Sequence, residues 1–128
     1  GLYVAMRSAT GEYSADTWLE PDLAVFDRDF ATRGDDWLAG PPPLLAIEVL
    51  SRGSRAHDRG IKRATYLALG VREYWVVDPF RRVIERWRGR DDGGSVELAT
   101  FTTDVGGVAL TVDVPAIFAR ALGSSPGE

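Results

Sequence analysis

Leu44-Leu45-Ala46-Ile47-Glu48-Val49-Leu50 is apolar at every position but one, on both of its alternating faces. A strand with one wet face would alternate, so this run reads as a central strand covered on both sides. Glu48 is the exception. A carboxylate buried without a partner costs several kcal/mol or neutralises itself by a pKa shift. The partner is either a cation of the protein or a bound metal, and that alternative governs the functional reading.

The chain on either side supplies the rest of the architecture. Ser51-Arg52-Gly53-Ser54 reads as a turn with Ser54 as N-cap, leading into a helix over 55–69 that Gly70 stops. Ile61, Ala64 and Ala68 share one face, which is expected to dock on the sheet. Asp58, Lys62 and Tyr66 recur at i, i+4 and i+8 along the flank, where they can look toward a sheet end. A strand over 71–77 follows, closed by the turn Asp78-Pro79-Phe80-Arg81. Strand–helix–strand with this crossover implies parallel pairing, right-handed by default.

Upstream, residues 2–8 read as a first strand, 9–20 as polar and turn-rich, and Asp22-Leu23-Ala24-Val25-Phe26 as a short strand opened by Pro21. The loop over 27–43 is long enough to be functional rather than a simple connection. Downstream, strands over 83–87 and 96–101 pair antiparallel around Asp91-Asp92-Gly93-Gly94, and 108–112 forms a last strand. Pro115 at the first helical position begins a terminal helix to residue 122. The expected fold is α/β (α+β), a mixed β-sheet with flanking helices, in one domain over 1–122 with a frayed tail over 123–128.

Composition narrows the function classes. With 128 residues, 45% hydrophobic and 27% charged, the chain is globular rather than disordered. It has no cysteine, which excludes thiolate metal sites and disulfides and fits a reducing, cytoplasmic setting. No apolar stretch approaches the ~18 residues of a membrane helix, so no membrane association is expected. A net charge of −4 argues against a simple basic nucleic-acid binder, but divalent ions reverse the local sign in a carboxylate-lined site. One histidine and no cysteine make a zinc hydrolase a poor candidate, and no glycine-rich phosphate loop occurs.

The chemistry that remains is carboxylate chemistry. Asp22 and Glu48 on adjacent strands bring two acids to one place, and Lys62 on the covering helix is the available ammonium. Phosphodiester hydrolysis asks for such a set: carboxylates for one or two hard cations and a lysine near the attacking water. Each residue also has a plainer reading. Asp22 after a proline can simply end a turn, Glu48 can sit in a buried ion pair with Lys62 or an arginine, and Asp58–Lys62 has the spacing of a surface helix pair. Tyr66, Tyr74 and Trp75 read first as core aromatics, Ser51 as a turn former and His57 as structural.

Taken together, Pro21-Asp22-Leu23, Ile47-Glu48-Val49-Leu50-Ser51, the spaced set Asp58, Lys62 and Tyr66, and the run from Gly70 through Tyr74-Trp75-Val76-Val77-Asp78-Pro79 resemble the Uma-two family of restriction-endonuclease-like proteins. That family belongs to the PD-(D/E)XK nuclease superfamily. The resemblance spans residues 18–120. It implies a restriction-endonuclease-like core, a metal-dependent endonuclease activity, Mg²⁺ or Mn²⁺ held by Asp22 and Glu48, and a nucleic-acid partner, DNA first. Lys62 then assists at the attacking water, with Asp58 and Tyr66 in support. In the simplest superfamily pattern a lysine stands two residues after the acid; here that position is Leu50, so Lys62 takes its place. Members also carry an N-terminal helix with a further acid; the chain is expected to start after it, with Glu20 or Asp16 as substitutes. Two rival expectations stand beside the enzyme: a catalytically silent domain that binds nucleic acid or protein, and a homodimer formed through the antiparallel strands with Trp87 and Phe101 exposed.

Overall fold

The structure, a computed structural model, describes residues 2–6, 21–27, 42–53, 56–89 and 92–123. The strands are β1 (Leu2–Met6), β2 (Leu23–Asp27), β3 (Leu45–Val49), β4 (Glu73–Asp78), β5 (Val83–Trp87), β6 (Ser95–Glu97), β7 (Thr100–Val105) and β8 (Val108–Asp113). The helices are α1 (Ala56–Ala68) between β3 and β4, and α2 (Val114–Leu122) after β8. β1 to β6 form one sheet in sequence order, in which β3 and β4 pair parallel and every other neighbour antiparallel. β7 and β8 form a separate antiparallel hairpin. The parallel pair is the one the strand–helix–strand pattern predicts.

The period-2 alternation of a strand sends its side chains to two different layers. On one face Ala46, Leu50, Tyr74, Val76 and Trp87 pack with Tyr66, Leu67 and Val71 beneath α1. On the other, Val25, Leu45, Trp75 and Ile84 pack with Phe101 and Val105 of the hairpin and with Val114 and Phe118 of α2. The central sheet is therefore covered on both sides, as the apolar run of β3 demands. Asp22, Glu48, Asp78 and Glu85 belong by alternation to the α1 side. Glu73 and Arg86 belong to the hairpin side.

Three expectations are corrected. α1 docks through Tyr66 and Leu67, which are buried, while Ile61, Ala64 and Ala68 lie on its exposed side. Helical period alone does not choose between two apolar arcs; the aromatic arc buries more surface and won. The strand expected over 96–101 breaks at Leu98, which is 65% exposed, and the chain leaves the main sheet to start β7. That break lets Phe101, Thr103 and Val105 turn inward on the opposite layer. Trp87 and Phe101, taken as surface aromatics for a dimer, are both 8% exposed and sit in opposite core layers. Gly123, after α2, donates its N–H to Ala119 O at 2.9 Å and accepts from Arg82 Nη1 at 2.9 Å.

Several local devices follow the sequence reading. Gly70 ends α1 at φ +97. Asp78 Oδ1 accepts the N–H groups of Phe80 at 2.9 Å and Arg81 at 3.0 Å, which folds the turn into β5. Asp113 caps α2 by accepting from Ala116 N at 3.1 Å, so Pro115 falls at the second helical position rather than the first. The segments 9–20 and 28–41 and the Ser54 cap lie outside the described residues. Among the described residues no helix is long and apolar enough to cross a membrane.

Candidate functional site

β2 and β3 run antiparallel with Leu23 opposite Ile47 and Ala24 opposite Ala46. Continuing that register by one residue sets Asp22 opposite Glu48, both on the α1 side. Directly opposed residues on neighbouring strands hold their Cβ atoms ~5 Å apart. Asp22 precedes the strand, after the buried Pro21, and its Oδ2 accepts the backbone N–H of Val49 at 2.7 Å. The bond fixes the carboxylate against the carboxyl end of β3, one residue beyond Glu48.

Glu48 is 8% exposed. Its Oε1 accepts the phenol O–H of Tyr66 at 3.2 Å from α1 above. Tyr66 is fully buried and stacks on Tyr74, with ring centroids 5.4 Å apart. Burial pushes its phenol well above the ordinary tyrosine range, and the neighbouring Glu48 charge, Tyr74 and Asp22 push the same way. The hydroxyl therefore stays a proton donor toward Glu48.

Lys62 stands one helical turn before Tyr66, on the same flank, and is half-buried. Asp58 lies one further turn back in α1, and its side chain is outside the described residues, as are those of His57 and of Asp16 and Glu20. Leu50, where the simplest pattern has a lysine, is 9% exposed in the α1-side core. So the fold brings Asp22, Glu48 and Tyr66 together, keeps Lys62 on the adjacent helical turn, and leaves Leu50 as packing.

A second buried carboxylate escaped the sequence reading. Glu73 is 5% exposed on the hairpin side. Its Oε1 accepts Arg86 Nη2 at 2.7 Å, Arg86 Nε at 2.9 Å and Trp75 Nε1 at 2.9 Å; its Oε2 accepts Thr103 Oγ1 at 2.8 Å. Arg86 also reaches Glu97 at 3.2 Å and lies over the Phe101 ring at 4.1 Å. The signal that singles out Glu48, an acid in an apolar strand, was equally present at Glu73. Glu73 is saturated by a guanidinium and two further donors, the pattern of a structural ion pair.

A hard divalent cation fits the first site on its donor set. Two opposed carboxylates at a sheet end suit Mg²⁺ or Mn²⁺, which keep several waters and take one or two protein carboxylates plus substrate oxygens. A closed protein cage does not fit: among the described residues no group of three or more His, Cys, Asp or Glu is placed to hold a metal ion.

Comparison with known proteins now bears on this geometry. The model of the Uma2 family, described as "Putative restriction endonuclease", matches residues 1–118. Among solved structures, the chain is similar to a "putative nuclease belonging to DUF820" from Anabaena variabilis, with a TM-score of 0.62 and 18% identity. The match covers 80% of this chain and 60% of that one, so the chain spans under two thirds of that neighbour's length. At that identity the likeness is one of fold. No curated protein matches the chain.

Proposed function

The chain belongs to the Uma2 family of restriction-endonuclease-like proteins, and on that premise we propose that it is a divalent-metal-dependent endonuclease hydrolysing phosphodiester bonds in nucleic acid, DNA first. The observation that carries the reading is Glu48: a carboxylate buried in the central strand, in line with Asp22 across the β2–β3 ladder, with a tyrosine hydroxyl aimed at it.

In this reading Asp22 and Glu48 hold the cation, which when bound supplies charge neutralisation at the phosphate and a water of lowered pKa. The chain's own residues do the rest. Val49 N–H donates to Oδ2 of Asp22 and fixes that carboxylate at the end of β3. Tyr66, kept protonated by its burial, orients Glu48 through Oε1. Lys62 extends from the flanking helical turn to stabilise charge developing on the phosphate or to orient the attacking water, the task a lysine two residues after the acid would otherwise perform. Asp58, four residues earlier on α1, has the spacing to steer that ammonium.

Titration calorimetry with Mn²⁺ tests this directly, comparing the parent protein with Glu48→Gln. Saturable binding in the micromolar to low millimolar range, abolished by the substitution, is the expected result. Heat of binding that is absent in the parent, or that survives Glu48→Gln unchanged, would overturn the assignment.

A further inference from the structure

Across α1 from the carboxylate pair lies a cavity of about 330 Å³ that the catalytic reading does not use. The register runs Glu48 opposite Val76, and Val76 opposite Glu85, so the cavity floor lies two strands along from Glu48 on the same face, ~10 Å away. Arg63 of α1 forms one wall, with its guanidinium over the Trp87 ring at 4.7 Å. Asp78, Glu85 and Arg81 line the remainder. The opening sits at the carboxyl end of parallel β4, where α/β sheets commonly take their ligands.

The polar inventory is unusual for a structural pocket. Asp78 is 5% exposed, and both of its turn hydrogen bonds go to Oδ1. Its Oδ2 has no partner among the described residues, although a buried carboxylate oxygen is expected to have one. Arg63 is half-buried and makes no hydrogen bond among the described residues beyond its stacking on Trp87. Arg81 and Glu85 face each other at a loose 3.6 Å.

Two arginines and two acids sum to no net charge, so the cavity concentrates neither anions nor cations. A free phosphate would meet Asp78 and Glu85; a metal ion would meet Arg63 and Arg81. The occupant that satisfies all four is a neutral, flat molecule offering donors on one edge and acceptors on another. We infer that this cavity is a nucleobase subsite, guanine by preference, which positions a nucleotide near the bond to be cut. Guanine presents N–H donors to the carboxylates of Asp78 and Glu85 and the O6 and N7 acceptors to the arginine forks. The volume lies at the low end for small-molecule sites, which admits one base rather than a dinucleotide. The subsite rests on the nuclease reading for its role, but not for its binding chemistry.

The test separates the two. Guanosine, which carries neither phosphate nor metal, is titrated in metal-free buffer and followed by the Trp87 indole N–H resonance. Saturable low-millimolar binding is expected, at least fivefold tighter than uridine. Glu85→Gln should weaken guanosine at least fivefold and Arg81→Gln at least threefold, while Asp22→Asn leaves it unchanged. Arg81 is a safe second variant because its side chain is 62% exposed. Equal affinity for uridine, displacement by inorganic phosphate, or indifference to both substitutions would overturn the subsite. Mn²⁺ binding without guanosine binding removes the subsite and keeps the nuclease. Guanosine binding without Mn²⁺ binding keeps the pocket and removes its catalytic role.

Discussion

Glu48 and Glu73 are both acids buried in neighbouring strands, and their different surroundings give them different fates under mutation. Tyr66→Phe removes the hydroxyl that donates to Glu48 while keeping the ring that stacks on Tyr74. The expected loss is ~1–3 kcal/mol in urea unfolding without metal, since a buried acceptor loses a donor. The same variant carries a pH signature. Because the folded-state pKa of Tyr66 is raised, its contribution is fully present below the ordinary tyrosine pKa of about 10 and is lost as pH rises beyond it. The parent should therefore lose stability as pH rises above about 10 more steeply than Tyr66→Phe. Parallel slopes in the two proteins would contradict the buried phenol.

At the scale of elements, α1 provides the sharpest contrast. Leu67→Ala should cost ~2–4 kcal/mol because it opens a cavity under the helix. Ile61→Ala, on the outer side, should cost under ~1 kcal/mol in the same urea series. A reversed order would restore the docking face that helical spacing alone suggests. The β5–β6 turn makes a second case. Gly94 has φ +88, and a Cβ there would overlap the Trp87 indole. Gly94→Ala combines left-handed strain with a steric clash against a core aromatic, and should lower stability by ~2 kcal/mol or more.

For the whole molecule, the Glu73–Arg86 pair joins the main sheet to the β7–β8 hairpin through Thr103 and Phe101. Arg86→Leu leaves an uncompensated carboxylate in the core and should cost ~3–5 kcal/mol. Adding Glu73→Met should recover most of that loss, short of the part owed to the Trp75 and Thr103 donors it orphans. Chemical denaturation of the two variants measures the recovery. Neither change should alter Mn²⁺ affinity, because the pair lies on the opposite face from Asp22 and Glu48.

Read by itself, the chain determined the order of strands and helices, the parallel β3–β4 pair, the Gly70 stop, the Asp78 turn and the candidates Asp22, Glu48 and Lys62. Those features are written in period, turn chemistry and short spacing, all of which act between residues close along the chain. Only the tertiary structure decided the rest. It settled which arc of α1 meets the sheet, that Leu98 releases the chain into a second layer, and that Trp87 and Phe101 are core. It also separated Glu73 from Glu48, for an acid in an apolar strand looks the same in either case until its partners are known. Those partners, Arg86 at 13 residues' distance and Thr103 at 30, come together only when the layers pack. The Asp78–Arg63 cavity has the same origin: its walls lie on three elements, and no local pattern records that they meet.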